Sequence, residues 1–143
     1  MGADGFDLLD GIEGLKIHKT GFVSEPEAAA RFYAAADIFV CPSLQDNLPN
    51  TLIEAAACGT ASVVFDAGGC PETIEEGVTG LIVPFADAEA LGATIANLLD
   101  NPERRHGMGR AARMQAEQQY GAGRMATDYL KLYNELIAKW DPL

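Results

Sequence analysis

Short apolar runs, Leu15 to His18, Ile38 to Cys41, Ser62 to Phe65 and Leu81 to Val83, alternate along this chain with longer stretches patterned for helices. Each run is too short to be a helix on its own. Apart from Leu15-Lys16-Ile17-His18, they are also apolar at mostly successive positions rather than at every second one, as in a strand covered on both faces. Strands of that kind, separated by helical stretches, assemble into parallel sheets whose crossovers are the helices. The class that follows is α/β: a partial Rossmann-like parallel sheet of about four strands, with flanking helices and a helical C-terminus.

Ser24 is placed to cap the first crossover helix, and Glu27 completes a capping box, so the spacing predicts a helix body from Glu25 to Ala35. The second helix starts near Pro49, which suits the first helical position because its missing N–H would be unpaired there, and stops at Gly59. A short helix follows Pro71, and Asp87 to Leu99 sets Ala88, Leu91, Ile95 and Leu98 on one stripe. Asn101-Pro102 restarts a helix. The last helix carries Met125, Tyr129, Leu132, Tyr133, Leu136, Ile137 and Trp140 at helical spacing. Such a stripe packs into this domain or a neighbouring one; the alternative, a helix lying on a membrane surface, is opposed by the chain's excess of acid.

The chain has 143 residues, 48% hydrophobic and 22% charged, enough for a single domain with its own core. No apolar run approaches the roughly 20 residues that cross a bilayer, so no transmembrane segment is expected. A formal charge of −11 disfavours nucleic acid and anionic membranes as partners. The richest basic stretch, Arg104 to Arg113, is interrupted by Gly107 and Gly109 and reads as a solvated helix face. Cys41, Cys58 and Cys70 leave an odd thiol without paired zinc-site spacing, as in reduced cytosolic proteins. The first residues lack the basic stretch and apolar core of a signal peptide, and a cytoplasmic location follows.

Ligands of open α/β sheets bind beyond the carboxyl ends of the strands, which directs attention to the loops after Cys41 and Phe65. The second loop reads Asp-Ala-Gly-Gly-Cys-Pro-Glu, and its paired glycines permit close approach to a ligand or simply a tight turn. The first passes through Asp46 and Asn47 into the helix at Pro49, so the amides of Asn50 and Thr51 lack intrahelical partners and form a site for anions. Glu54 follows on the same helix face, about 6 Å further along the axis, where a carboxylate accepts from sugar hydroxyls beside a bound phosphate. Asp46 faces the other end of such a ligand. The same residues also fit a plainer description, with Asp46 and Asn47 as turn formers and Glu54 as an exposed helical residue. Gly121-Ala-Gly-Arg-Met-Ala126 imitates a dinucleotide fingerprint but follows a helix rather than a strand. His18, in an expected strand, and His106, in an expected helix, have no metal-ligand pattern around them.

Ala36-Asp-Ile-Phe-Val-Cys-Pro-Ser-Leu-Gln-Asp-Asn-Leu-Pro-Asn-Thr-Leu-Ile-Glu-Ala-Ala-Ala-Cys-Gly59 resembles the signature stretch of the large retaining GT-B glycosyltransferase family that includes glycogen and sucrose synthases. Gly68-Gly-Cys-Pro-Glu72, Gly77-Val-Thr-Gly-Leu-Ile-Val83 and the helix from Asp87 resemble the same family in order and spacing. The resemblance implies a donor-binding set of Gly21, Asp46, Asn47, Leu48, Asn50, Thr51 and Glu54. By this resemblance Asp46 bonds the transferred sugar and is the catalytic residue. Glu54 holds the ribose, and the amides of Asn50 and Thr51 receive the diphosphate of a UDP- or GDP-sugar. Asp46 departs from the family's more frequent glutamate. No metal and no cofactor are expected, since in this family the helix end partly replaces a divalent cation at the leaving diphosphate.

The resemblance further implies that residues 1–143 are a single, N-terminally truncated nucleotide-sugar-binding lobe, without the acceptor lobe and the basic pair that neutralises the diphosphate. Lys19 is then the nearby cation, and weak donor binding without turnover by the chain alone is expected. The competing function is a non-catalytic nucleotide-sugar-binding or assembly module that needs a partner chain. Truncation exposes an edge at Ile38 to Cys41, to be closed by Leu15 to His18 or by pairing between copies in a homo-oligomer.

Overall fold

In a computed structural model of the protein, the residues described are 14–140. Three of the four apolar runs form strands, β1 (Ile38–Cys41), β2 (Ala61–Phe65) and β3 (Gly80–Val83), paired in parallel in the order β1-β2-β3. Val40 stands opposite Val63, and Val64 opposite Ile82. Every residue of the central strand β2 is buried, because both of its faces are covered. Ala61, Val63 and Phe65 point into one cluster with Leu81, Val83, Leu98 and Met108; Val64 points into the other with Cys41, Leu52 and Cys70. This two-sided burial is why the run is apolar at successive positions but for buried Ser62.

α1 (Pro26–Ala35) precedes β1, α2 (Asn50–Ala57) crosses from β1 to β2, a 3-10 turn at Pro71–Thr73 lies between β2 and β3, and α3 (Ala88–Leu99), α4 (Pro102–Gln119) and α5 (Ala122–Lys139) follow the sheet. Asp87 caps α3 by accepting from the Ala90 amide at 2.8 Å. The end of α2 is a Schellman turn: the Thr60 amide donates to the Ala55 carbonyl at 3.0 Å and the Gly59 amide to Ala56 at 2.9 Å, with Gly59 at φ 79°. Arg105 locks the joint between α3 and α4, donating to the carbonyls of Leu98 (3.1 Å) and Leu99 (2.9 Å) and to Asp37 Oδ1 (2.8 Å) at the entry to β1. Gly109 lets α4 approach the Gly59 backbone, where any Cβ would overlap the Gly59 carbonyl.

Three local expectations are corrected. Leu15 to His18 is not a strand and does not pair with β1; Leu15 is 52% exposed, and His18 lies outside any regular element. A run gains strand geometry only from a neighbour that takes up its ladder bonds, and β1 has β2 on one side and no partner on the other among the described residues. The Ser24 capping box does not form either. Proline at position 26 holds Glu25 in extended geometry (φ −91°, ψ 119°), so Glu25 becomes the N-cap without a side-chain bond. Finally, the stripe of α5 does not pack into this domain, the first of its two expected places: α5 buries no residue, and Ile137 and Trp140 are 71% and 77% exposed.

Candidate functional site

The first turn of α2 lies at the carboxyl end of β1, as the topology of a parallel sheet requires. Pro49, buried and at ψ 113°, sets the entry angle, and the Leu52 amide bonds back to its carbonyl at 3.1 Å. The amides of Asn50 and Thr51 precede that bond and have no acceptor within the helix.

Thr51 and Glu54, one turn apart, line a cleft of about 510 Å³ with Thr20, Gly21, Phe22 and Tyr33. Glu54 and Tyr33 also border a neighbouring hollow of about 350 Å³ beside Ser24, Pro26 and Cys58. The Tyr33 hydroxyl donates to Glu54 Oε2 at 2.9 Å, across 21 residues of sequence. Burial, the hydrogen bond to Glu54 and the charge of that carboxylate together push the Tyr33 phenol up to about 12. Its ring meets Phe39 of β1 edge to face, centroids 5.4 Å apart, and the Thr60 hydroxyl donates to its carbonyl at 2.7 Å. Glu54 is therefore held by a residue that is itself fixed at its ring by Phe39 and at its backbone by Thr60. Sequence spacing does not reveal this, because Tyr33 belongs to a different helix and its role depends on how α1 packs on α2.

The other expected residues sit apart from that cleft. Leu48 and Asn50 line a depression of about 420 Å³ on the side of α2 that faces Tyr120, Met125 and Tyr129. Asp46, half-buried, and exposed Asn47 lie in the loop before α2 and are not among the residues lining the Glu54 cleft. Lys19, exposed in the segment before Gly21, is not among them either.

The glycine pair after β2 has a specific partner. The Gly69 amide donates to the Asp46 carbonyl at 2.8 Å, and a Cβ on Gly68 or Gly69 would overlap the carbonyl oxygens of Asp46 and Asn47 respectively. The close approach that sequence allows for a ligand is thus made by the neighbouring loop of the protein itself. Beneath it, Cys70 is fully buried, and burial, with the Cys41 thiol and the Asp46 carboxylate alongside, pushes its thiol up to about 11. A thiol in that state packs and does not act as a nucleophile. Among the described residues no cluster of His, Cys, Asp or Glu suits a metal ion, and no helix is long and apolar enough to cross a membrane.

Comparison with known proteins gives this geometry a context. Residues 12–115 match the family model for glycosyl transferases group 1. The chain is 36% identical over 111 residues to an alpha-maltose-1-phosphate synthase of Mycolicibacterium smegmatis, covering 73% of this chain and 29% of that protein. It is 33% identical over 144 residues to a D-inositol 3-phosphate glycosyltransferase of an Arthrobacter species, covering 97% of this chain and 34% of that protein. Among solved structures, sucrose-phosphate synthase from Thermosynechococcus elongatus superposes with a TM-score of 0.75 at 32% identity, over 80% of this chain and 29% of that one. The chain thus spans about a third or less of the length of these relatives.

Proposed function

The chain belongs to the glycosyl transferase group 1 family, and we propose that it is the part of such an enzyme that holds a nucleotide-sugar donor while the sugar is transferred, with retention, to an acceptor. The observation that carries this reading is the meeting of Gly21, Thr51 and Glu54 on one cleft at the N-terminal end of α2. The diphosphate of a UDP- or GDP-sugar sits at the amides of Asn50 and Thr51, where the positive end of the helix offsets charge on the leaving group without a metal ion. Glu54, oriented by Tyr33, accepts from the ribose hydroxyls. Asp46, in the loop before α2, holds the transferred sugar, and Asn47 and Leu48 follow it in the same loop as further members of the donor set. The departing phosphate takes the acceptor's proton, so no base is assigned in this chain.

Because the chain spans 29% of the maltose-1-phosphate synthase it matches, we propose that turnover depends on further polypeptide, with an acceptor lobe as the missing partner. A donor-binding or assembly module completed by a partner chain is the second reading, favoured by the same observation. The edge of β1 that has no partner among the described residues is where such a partner, or another copy, adds a strand. The free thiols Cys41, Cys58 and Cys70 fit a reducing compartment, and the cytoplasm is the proposed location.

Calorimetric titration with a panel of UDP- and GDP-sugars tests this reading on wild type, Glu54→Ala and Asp46→Ala. Glu54→Ala is expected to weaken every donor, and its parent nucleotide, about tenfold or more. Asp46→Ala weakens the sugar-bearing donors alone. Equal binding of UDP to wild type and Glu54→Ala removes the ribose assignment, and binding of no nucleotide removes the donor site altogether. Donor hydrolysis by the isolated chain overturns its dependence on a partner.

A further inference from the structure

We propose that the Gly68–Gly69 turn after β2 is the positioning element for the sugar end of the donor, holding the Asp46 backbone so that the Asp46 carboxylate meets the transferred sugar. That role rests on the reading of Asp46 as the residue that bonds this sugar. Asp46 stands in the loop 42–48 between β1 and α2, all of it exposed or half-buried. Among the described residues, one backbone hydrogen bond ties that loop to another part of the chain: the Gly69 amide donates to the Asp46 carbonyl at 2.8 Å. The loop's side-chain contact, Ser43 Oγ with Cys41 Sγ at 3.5 Å, reaches only two residues back. Around the Gly69 bond the two segments meet backbone to backbone, so close that a Cβ on Gly68 or Gly69 would overlap the carbonyl oxygen of Asp46 or Asn47.

The turn is the fixed member of this pair. Ala67, Gly69, Cys70 and Thr73 are buried, and Cys70 packs with Cys41, Leu52 and Val64 in the core on that face of the sheet. The turn is also braced internally, by the Cys70 amide on the Ala67 carbonyl (3.1 Å) and the Thr73 hydroxyl on the Cys70 carbonyl (2.8 Å). The loop has no such bracing, so the turn sets the loop's place. The short aspartate side chain makes this matter. Its carboxylate stands two rotatable bonds from the backbone, so a shift of the Asp46 backbone is passed to the carboxylate and side-chain rotation recovers little of it. A group that recognises a ligand has to be held to within about 0.5 Å. The phosphate and ribose ends of the donor belong to α2 itself, at Asn50, Thr51 and Glu54, and α2 is seated separately, through buried Pro49, Leu52 and Ala55. Affinity for the sugar and affinity for the nucleotide are therefore separable, and only the first passes through Gly69. Linkage makes the effect reciprocal: a sugar that binds when Asp46 is in place closes the contact with Gly69 by the same factor.

The test is a ratio measured by calorimetry on the full chain: the Kd of the parent nucleotide, UDP or GDP, over the Kd of the UDP- or GDP-sugar that wild type binds tightest. Asp46→Ala is expected to lower this ratio about tenfold, the worth of a hydrogen bond to a charged group. Gly69→Ala lowers it about fivefold or more while the parent nucleotide stays within about twofold of wild type. The double variant falls no further than Asp46→Ala alone, because the glycine acts through the aspartate. Partial unfolding of Gly69→Ala weakens donor and nucleotide alike and leaves the ratio unmoved. Hydrogen exchange of the Gly69 amide in wild type, followed by NMR at equal multiples of Kd, decides the matter should that variant not fold: the sugar nucleotide slows exchange about tenfold more than the parent nucleotide does. A ratio that falls in Asp46→Ala but not in Gly69→Ala overturns the positioning role and leaves the donor site standing. So does a Gly69 amide slowed equally by both ligands. A ratio unchanged in Asp46→Ala, or binding of no nucleotide at all, overturns the sugar assignment of Asp46 and the role of Gly69 with it.

Discussion

Replacing Gly69 by alanine separates a fitted loop from one that is merely pliable. Gly69 is not among the glycines with positive φ, so the added methyl group brings no backbone penalty of that kind. Its effect is steric: an ideal Cβ there overlaps the Asn47 carbonyl oxygen, which is backbone and cannot rotate away. Relief requires the Asp46–Asn47 segment to move, which also breaks the 2.8 Å bond from the Gly69 amide to the Asp46 carbonyl. Overpacking costs about 1–3 kcal/mol and the lost bond about 1 more, so Gly69→Ala should destabilise by roughly 2–4 kcal/mol. Two controls isolate the components. Gly77 has φ 77° and nothing within 4 Å of a Cβ, so its alanine variant loses only the about 1–2 kcal/mol of left-handed geometry. Gly92, inside α3 with nothing within 4 Å and no positive φ, should gain about 0.5–1 kcal/mol on becoming alanine. Urea unfolding followed by circular dichroism should rank the midpoints as Gly92→Ala, wild type, Gly77→Ala, Gly69→Ala, with a common slope. If Gly69→Ala unfolds no earlier than Gly77→Ala, the two loops are not in the contact described, and the reasoning fails.

Tyr33→Phe deletes the hydroxyl that holds Glu54. Burial, followed by the bond to Glu54, raises the phenol from 10.0 to about 12, so its neutral form contributes stability that is fully present below pH 10 and lost as pH rises toward 12. Wild type should lose that increment over the window and Tyr33→Phe should not, so the two stabilities converge; parallel pH profiles would contradict the assignment. Arg105→Met keeps the aliphatic packing but removes three hydrogen bonds from a side chain 11% exposed, and is expected to cost about 1–3 kcal/mol. Arg105→Lys should recover only part of this, because a single ammonium cannot span acceptors on two sides as the planar fork does. Full recovery in urea titrations would show that charge alone matters.

Much of the architecture is legible in the sequence because it depends on burial pattern and local chemistry. Ala61 to Phe65 is apolar but for buried Ser62 because two layers cover it, and Gly59 ends α2 because only glycine takes φ 79° there at little cost. What is not legible depends on partners distant in sequence. Leu15 to His18 has strand composition, yet a strand needs a neighbour to take its hydrogen bonds. Ser24 has the right spacing for a cap, but Pro26 decides the geometry of the residue before it. The stripe on α5 announces a buried face without saying what buries it. At the candidate site, Thr51 and Glu54 follow from helix periodicity, and Gly21 joins them from the resemblance. Tyr33 does not, since its link to Glu54 spans 21 residues and two helices.

Tyr33 is also fastened twice to the stretch that contains α2, by its hydroxyl to Glu54 on the helix and by its carbonyl to the Thr60 hydroxyl just beyond it. In mechanical terms, α1 and α2 form a single jaw rather than two. The opposing wall of the Glu54 cleft is the segment Thr20 to Val23, which has no regular structure and carries Phe22 at 95% exposure. The two walls of the cleft are therefore built differently: the helical one is fastened across α1 and α2, and the other rests on a segment without regular structure in which Gly21 takes φ 63°.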